Sequence, residues 1–186
     1  YKVNSWRSIT TSIIDLISHF DPNKHDISSL RSIGGGGASM PKNTALKLKK
    51  FTSLDYIEAY GLTETMAPTH INPPNKPKLG SIGLPLFNVD ARIIDVDKLT
   101  ELGVEQKGEL VLSTPQLFLG YLNQSTNHND YIELDNKCFF RTGDLAYFDN
   151  DGYFFVFDRL KRMINSSGFK IWPAEIEKII FNYEGI

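Results

Sequence analysis

The 186-residue chain holds a single cysteine, Cys138, so no disulfide can close within it and a disulfide-stapled scaffold is excluded. That usage fits a reducing, cytoplasmic setting. No apolar run approaches the roughly 20 residues that cross a bilayer, so no transmembrane segment is expected, while a peripheral membrane contact stays open. A basic-then-apolar leader is missing from the first residues. Neither charge dominates: 20 Lys and Arg face 22 Asp and Glu, a net charge of −2, which argues against a nucleic-acid-binding surface. Neither a GxGxxG dinucleotide fingerprint nor a GKS/T phosphate loop occurs. His19, His25, His70 and His128 stand apart without metal-ligand spacing, so a zinc site is not expected.

With 41% hydrophobic residues the composition is that of a globular protein. At about 150 residues per domain the length allows one domain, or one plus part of another. The chain begins at Tyr1 without Met and ends at Ile186 inside a helical pattern, and is read as an excerpt of something longer.

Trp6, Ile9, Ile13, Leu16, Ile17 and Phe20 recur at helical spacing, predicting a helix over 5–20 with Ser5 as N-cap and Asp21-Pro22 as stop. Arg31-Ser32-Ile33 reads as a short strand entering a glycine loop, Gly34 to Gly37. Pro41 opens a helix through Lys50, with Lys47, Lys49 and Lys50 on its solvated face. Leu54–Ala59 is a second strand. This order suggests one unit of a parallel α/β sheet. Met66 to Pro85, with five prolines, reads as irregular. Beyond it, 89–93, 108–112, 138–141, 145–148 and 153–157 read as strands of an antiparallel, barrel-like module, the last two joined by the turn Asp149-Asn150-Asp151-Gly152. Pro173 opens a final helix with Ile176, Ile179, Ile180 and Tyr183 on one face.

Four segments carry chemistry. The glycine run can let a backbone approach a ligand, or can simply turn the chain. Tyr60-Gly61-Leu62-Thr63-Glu64-Thr65 places an aromatic ring, hydroxyls and a carboxylate within six residues. That set suits a nucleotide with Mg²⁺, or equally a capped turn. Arg141-Thr142-Gly143-Asp144 offers a carboxylate for ribose hydroxyls, or a strand-end turn in which Asp bonds its own backbone. Asp158-Arg159 is either a solvated ion pair or a pivot carrying an arginine toward a phosphate. Cys138, beside Phe139 and Phe140, reads as a small buried hydrophobe. His70, a few residues beyond Glu64, is the one histidine placed to line a pocket there.

In order, Gly-Gly-Ala-Ser, Tyr-Gly-Leu-Thr-Glu-Thr, Gly-Glu-Leu, Gly-Tyr-Leu-Asn, Arg-Thr-Gly-Asp, Asp-Arg-Leu-Lys and Ser-Gly-Phe-Lys-Ile-Trp-Pro-Ala-Glu-Ile-Glu resemble the adenylate-forming superfamily over residues 30–181. This superfamily holds acyl-CoA synthetases, beetle luciferases and peptide-synthetase adenylation domains. The resemblance implies that Gly36, Gly37 and Ala38 line the adenine and acyl pocket, next to Gly61. It implies that Tyr60 stacks on adenine, Thr63 binds phosphate, Glu64 holds Mg²⁺, Asp144 takes the ribose hydroxyls and Arg159 contacts ribose or phosphate. Thr63, Glu64 and Arg159 would then serve catalysis directly. Asp158 would be the hinge of a mobile C-terminal domain, and Ser167, Gly168 and Phe169 would face coenzyme A. Asn165 stands where several relatives carry lysine; the family's phosphate loop lies upstream of this stretch and its catalytic lysine downstream, so this piece alone is expected to be inactive.

The resemblance thus implies an α/β fold. Residues 1–85 would be the C-terminal part of a parallel-sheet lobe, 86–157 a β-barrel-like lobe, and 158–186 the hinge and start of an α+β domain. It implies an ATP-, Mg²⁺- and CoA-using ligase that converts a carboxylic acid to acyl-AMP and then to a thioester. The final motif is most like medium- and long-chain fatty acyl-CoA ligases, and glycines at 34–37 would leave room for an acyl chain. Aryl or short-chain acids, a peptide-synthetase-type adenylation domain and a non-catalytic nucleotide-binding homologue remain alternatives.

Overall fold

In a computed structural model of the chain, Ser5–Ile9 is a strand, β1, and not the opening turns of a helix. The helix α1 runs Thr10–His19, with Ile9 at its N-cap and no side-chain cap bond, so Ser5 does not cap it. The spacing of Trp6, Ile9 and Ile13 suits a helix face, but β1 supplies a parallel ladder to β2, Ser32–Gly36. That ladder satisfies backbone groups that a helix would have left unpaired on β2. At the switch, the Thr10 hydroxyl donates to the Ala38 carbonyl at 2.6 Å.

The structure describes residues 2–21, 23–122, 130–166 and 169–180; Pro22, Asn123, His128, Ser167, Gly168 and Tyr183 lie outside them. The described residues fall into two compact units. One draws on Tyr1–Val89, Thr114–Leu119 and Gly152–Phe154, the other on Asp90–Ser113, Gly120–Asp151 and Phe155–Ile186.

In the first unit, α2 spans Lys42–Thr52 and β3 spans Tyr56–Gly61, two residues beyond the expected strand. Strands β1, β2 and β3 are parallel neighbours, and Ile13, Ile33, Met40, Leu48 and Tyr56 form the core between sheet and helices. Lys47, Lys49 and Lys50 of α2 face solvent, Lys49 pairing with Asp55 at 2.8 Å. The proline-rich stretch is more regular than its composition suggests. Pro68–Ile71, β4, pairs antiparallel with β3, and Leu84–Pro85, β5, closes the sheet. Prolines are tolerated here because they occupy strand starts and an edge. Between them, buried Asn72 donates to the Ser81 carbonyl (2.8 Å) and accepts from the Lys78 amide (2.9 Å) and the Ser81 hydroxyl (3.0 Å).

The second unit is an antiparallel sheet that curls as a half-barrel. Its strands are β6 (Asp90–Ile94), β7 (Gly108–Ser113), β8 (Tyr131–Leu134), β9 (Lys137–Phe148) and β10 (Phe154–Arg159), ordered β10-β9-β7-β6 with β8 also on β9. The two strands expected at 138–141 and 145–148 are one, β9. Ile94, Val111 and Phe139 pack at its core. Cys138 is exposed, near the start of β9, while Phe139 and Phe140 after it are buried. A small hairpin follows, β11 (Ile164–Ser166) with β12 (Phe169–Ile171), then α3, Pro173–Ile180. No helix among the described residues is long and apolar enough to cross a membrane.

Replacing Asn72 by Ala removes the acceptor of the Lys78 amide and the side-chain donor to the Ser81 carbonyl. It is expected to lower unfolding free energy by about 2–4 kcal/mol in urea titration; an unchanged midpoint would contradict the role given to this side chain.

Candidate nucleotide and acyl site

The glycine run is a strand, not a loop. Gly34 to Gly36 lie within β2, where a Cβ on Gly35 would overlap the Ser8 carbonyl oxygen and one on Gly36 that of Ala59. The neighbouring backbones therefore demand these glycines, and the space that side chains would need is not space for a ligand. Gly37, at φ +87°, turns the chain out of the strand, and only Ile9 lies near its missing Cβ. Gly35, Gly36 and Gly37 form one wall of a cavity of about 450 Å³; Ala59, Tyr60 and Gly61 of β3 form another. Ile57, Leu62, Met66 and Ile71 make the rest largely apolar. Ala38, expected on this wall, is exposed and outside the lining, its carbonyl held by Thr10.

At the end of β3 a 3₁₀ turn, Thr63–Thr65, carries the expected phosphate and metal residues. Thr65 builds it. Fully buried, its hydroxyl oxygen accepts the Leu62 amide at 3.0 Å and lies 3.0 Å from both the Leu62 and Ala67 carbonyls, either of which it can bond as donor. The turn leaves Thr63 exposed and Glu64 half-buried, and the Glu64 carbonyl accepts from the Phe118 amide at 2.8 Å. Among the described residues no three His, Cys, Asp or Glu side chains gather to hold a metal. A single carboxylate at Glu64 fits Mg²⁺, which keeps waters and phosphate oxygens as its other ligands.

His70 does not line the cavity. It is fully buried, edge-on to Tyr60 and against Phe154, with Nδ1 3.0 Å from the Thr69 hydroxyl. Burial lowers its pKa to about 3, so it is neutral. Its place is the core behind the Tyr60 ring.

Glu58 was not signalled by any motif. Its side chain, 5% exposed, accepts from the Met40 amide at 3.4 Å, and burial pushes its carboxyl pKa up to about 7. A lone acid inside the apolar strand Tyr-Ile-Glu-Ala-Tyr was the available signal.

In the second unit, Asp144 sits in β9 inside a bulge. Glu109 pairs with Leu145 and Val111 with Arg141, so Thr142, Gly143 and Asp144 face the single residue Leu110. This is a mid-strand feature and not the strand-end turn. Asp144 is 2% exposed, and its Oδ1 meets Arg159 Nε at 2.9 Å. Arg159, at the end of β10, is half-exposed. Asp158 is buried beside it, accepting the Arg159 amide at 2.7 Å and facing Arg162 at 3.4 Å. Arg162 also pairs with Glu177. The structure thus joins Asp144 to Arg159 and turns Asp158 inward. The backbone of Phe169 lies in β12, while Ser167 and Gly168 fall outside the described residues.

The raised pKa of Glu58 sets a pH dependence. The unfolded carboxyl loses its proton near its ordinary value and the folded one near 7, so the folded state binds more protons between them and stability falls as pH rises through that window. The loss amounts to about 3 kcal/mol. Glu58→Gln is expected to flatten the decline between pH 5 and 7 in denaturant titrations; an identical slope in the variant would contradict it.

Residues 1–122 match the AMP-binding enzyme family. The luciferin 4-monooxygenase of Photinus pyralis is 34% identical over 187 residues, covering 100% of this chain and 34% of its own length. The long-chain-fatty-acid–CoA ligase of Bacillus subtilis is 34% identical over 189 residues, again with 100% of this chain and 33% of its own length. An o-succinylbenzoate coenzyme A synthetase from Bacillus subtilis, solved with ATP and a magnesium ion, superposes with a TM-score of 0.78 at 28% identity over 96% of this chain and 36% of that one. The chain spans about a third of the length of these relatives. Its motifs, its two sheets and this match over most of its length carry one conclusion: the chain belongs to the AMP-binding enzymes of the adenylate-forming superfamily.

Proposed function

We propose that the protein carrying this chain is an ATP-dependent acid–CoA ligase acting on a fatty acid. The observation that carries this reading is the apolar cavity walled by β2 glycines and ending at the Tyr60–Thr65 turn, where an acyl chain can lie with its carboxylate toward a phosphate-binding turn. The Bacillus fatty-acid ligase, similar along the whole chain, supports the substrate class. Glycine close-packing no longer does, since β1 and β3 fill the space beside Gly35 and Gly36.

In this reading the carboxylate oxygen attacks the α-phosphorus of ATP and pyrophosphate leaves with the electron pair of the broken P–O bond. The coenzyme A thiolate then attacks the acyl carbon and AMP leaves. The Tyr60 ring stacks on adenine, the Thr63 hydroxyl donates to a phosphate oxygen, and Asp144 accepts from the ribose hydroxyls. Arg159, charged and half-exposed, contributes positive charge at the ribose or phosphate. Glu64 would hold Mg²⁺, which would supply charge neutralisation on the phosphates. Asp158 is the pivot for a rotation that presents Ser167, Gly168 and Phe169 to coenzyme A.

Pyrophosphate release with MgATP across fatty, aryl and amino acids, with and without coenzyme A, tests the reading. Release strongest with medium or long fatty acids, with thioester formed, is the expected outcome. Preference for aryl or short-chain acids would replace the substrate, aminoacyl-AMP formation would favour an adenylation domain, and ATP binding without release would favour a non-catalytic homologue. Thr63→Val is expected to lower kcat by about 10²-fold with the acid KM little changed, by loss of a donor to a charged phosphate.

A further inference from the structure

We propose that Glu109 is a positioning residue that sets nucleotide affinity by holding the Asp144 carboxylate in its ribose-binding pose; this rests on the reading of Asp144 as the ribose acceptor. Glu109 lies on β7, touches no expected ligand group and is 1% exposed. A carboxylate so placed is costly unless it is fully paired, and here each oxygen is engaged. Oε2 accepts from Arg141 Nε at 3.0 Å and Nη2 at 2.6 Å, a two-nitrogen fork. Oε1 accepts the Gly143 amide at 3.1 Å.

Those partners are the residue that precedes the bulge, Arg141, and the residue at its middle, Gly143. Three residues of β9 face one of β7, so the regular ladder cannot serve them all. Side chains replace it. Glu109 takes the Gly143 amide, the Thr142 hydroxyl donates to the Leu110 carbonyl at 2.7 Å, and the same oxygen accepts the Asp144 amide at 3.0 Å. Gly143, at φ +68° with open space where a Cβ would stand, supplies the left-handed backbone of the bulge within β9. The backbone of Asp144 is therefore fixed one residue from a bond to Glu109, and its side chain emerges against Arg159. Removing the Glu109 charge leaves the Arg141 guanidinium without its fork and the Gly143 amide with a weaker acceptor, so the bulge relaxes and Asp144 moves relative to any ribose it holds.

Glu109→Gln keeps the shape and removes the charge, while its amide group faces the Arg141 donors. In the full-length protein, steady-state kinetics with ATP and with 3′-deoxy-ATP read the effect. For E109Q the account expects KM for ATP to rise about tenfold, with kcat within about threefold and the acid KM unchanged. The preference for ATP over 3′-deoxy-ATP, in kcat/KM, should shrink by about fivefold or more, since a displaced carboxylate no longer distinguishes the two. D144N should nearly abolish that preference. A folded E109Q that keeps the wild-type preference, beside a D144N that loses it, would overturn the positioning role alone. A wild type without preference, with D144N alike, would overturn the ribose reading and this proposal with it. Should E109Q not fold, R141K reads the same ratio, keeping a positive charge without the fork; if both variants unfold, Glu109 serves stability and the proposal is wrong.

Discussion

A carboxylate removed from water calls for donors, and four acids among the described residues face that demand at 5% exposure or less: Glu58, Glu109, Asp144 and Asp158. Each is answered by a backbone amide, an arginine or both. Because a buried charge tolerates few arrangements, each pairing fixes a piece of backbone that hydrophobic packing alone would leave adjustable. Glu58 ties β3 to the segment that enters α2. Glu109 ties the two sides of the β9 bulge. Asp158 ties the end of β10 to the turn beyond it. Asp144 is the exception in kind, because its arginine partner is half-exposed.

The second constraint is steric. Gly35 and Gly36 permit β2 to approach its neighbours so closely that no side chain fits, and the chain then turns at Gly37. A glycine run in a sequence reports such an approach without saying what approaches. Here it is the flanking protein backbones, and the cavity wall is made by the strand they hold. The largely apolar cavity is a consequence of this packing as much as of its lining side chains.

Much of this was legible from residue patterns. The α/β order, α2, the Asp149–Gly152 turn and the start of α3 at Pro173 follow from periodicity and turn chemistry. Strand β1 was hidden because Trp6, Ile9 and Ile13 fit a helix face, and the ladder that wins is with a strand more than twenty residues away. Strands β4 and β5 were hidden by prolines, which do no harm at the positions they occupy. Of the site, the motif residues Tyr60, Thr63, Glu64, Asp144 and Arg159 were readable, whereas their supports Thr65 and Glu109 were not. An acid centred in an apolar strand, as in Gly-Glu-Leu-Val-Leu, announces only that it needs a partner; finding Arg141 and Gly143 requires the register of β7 on β9. Cys138 and His70 went the other way, one exposed and one buried, because which face of its strand each side chain takes is set by tertiary packing that the sequence does not show.

The most direct test of the account is a structure of the full-length protein with a non-hydrolysable acyl-adenylate analogue. The account predicts that both ribose hydroxyls lie within hydrogen-bond distance of the Asp144 carboxylate, with the Glu109–Arg141 fork intact beneath it. Adenosine bound elsewhere, with Asp144 still paired to Arg159 and no ribose at its oxygens, would contradict it.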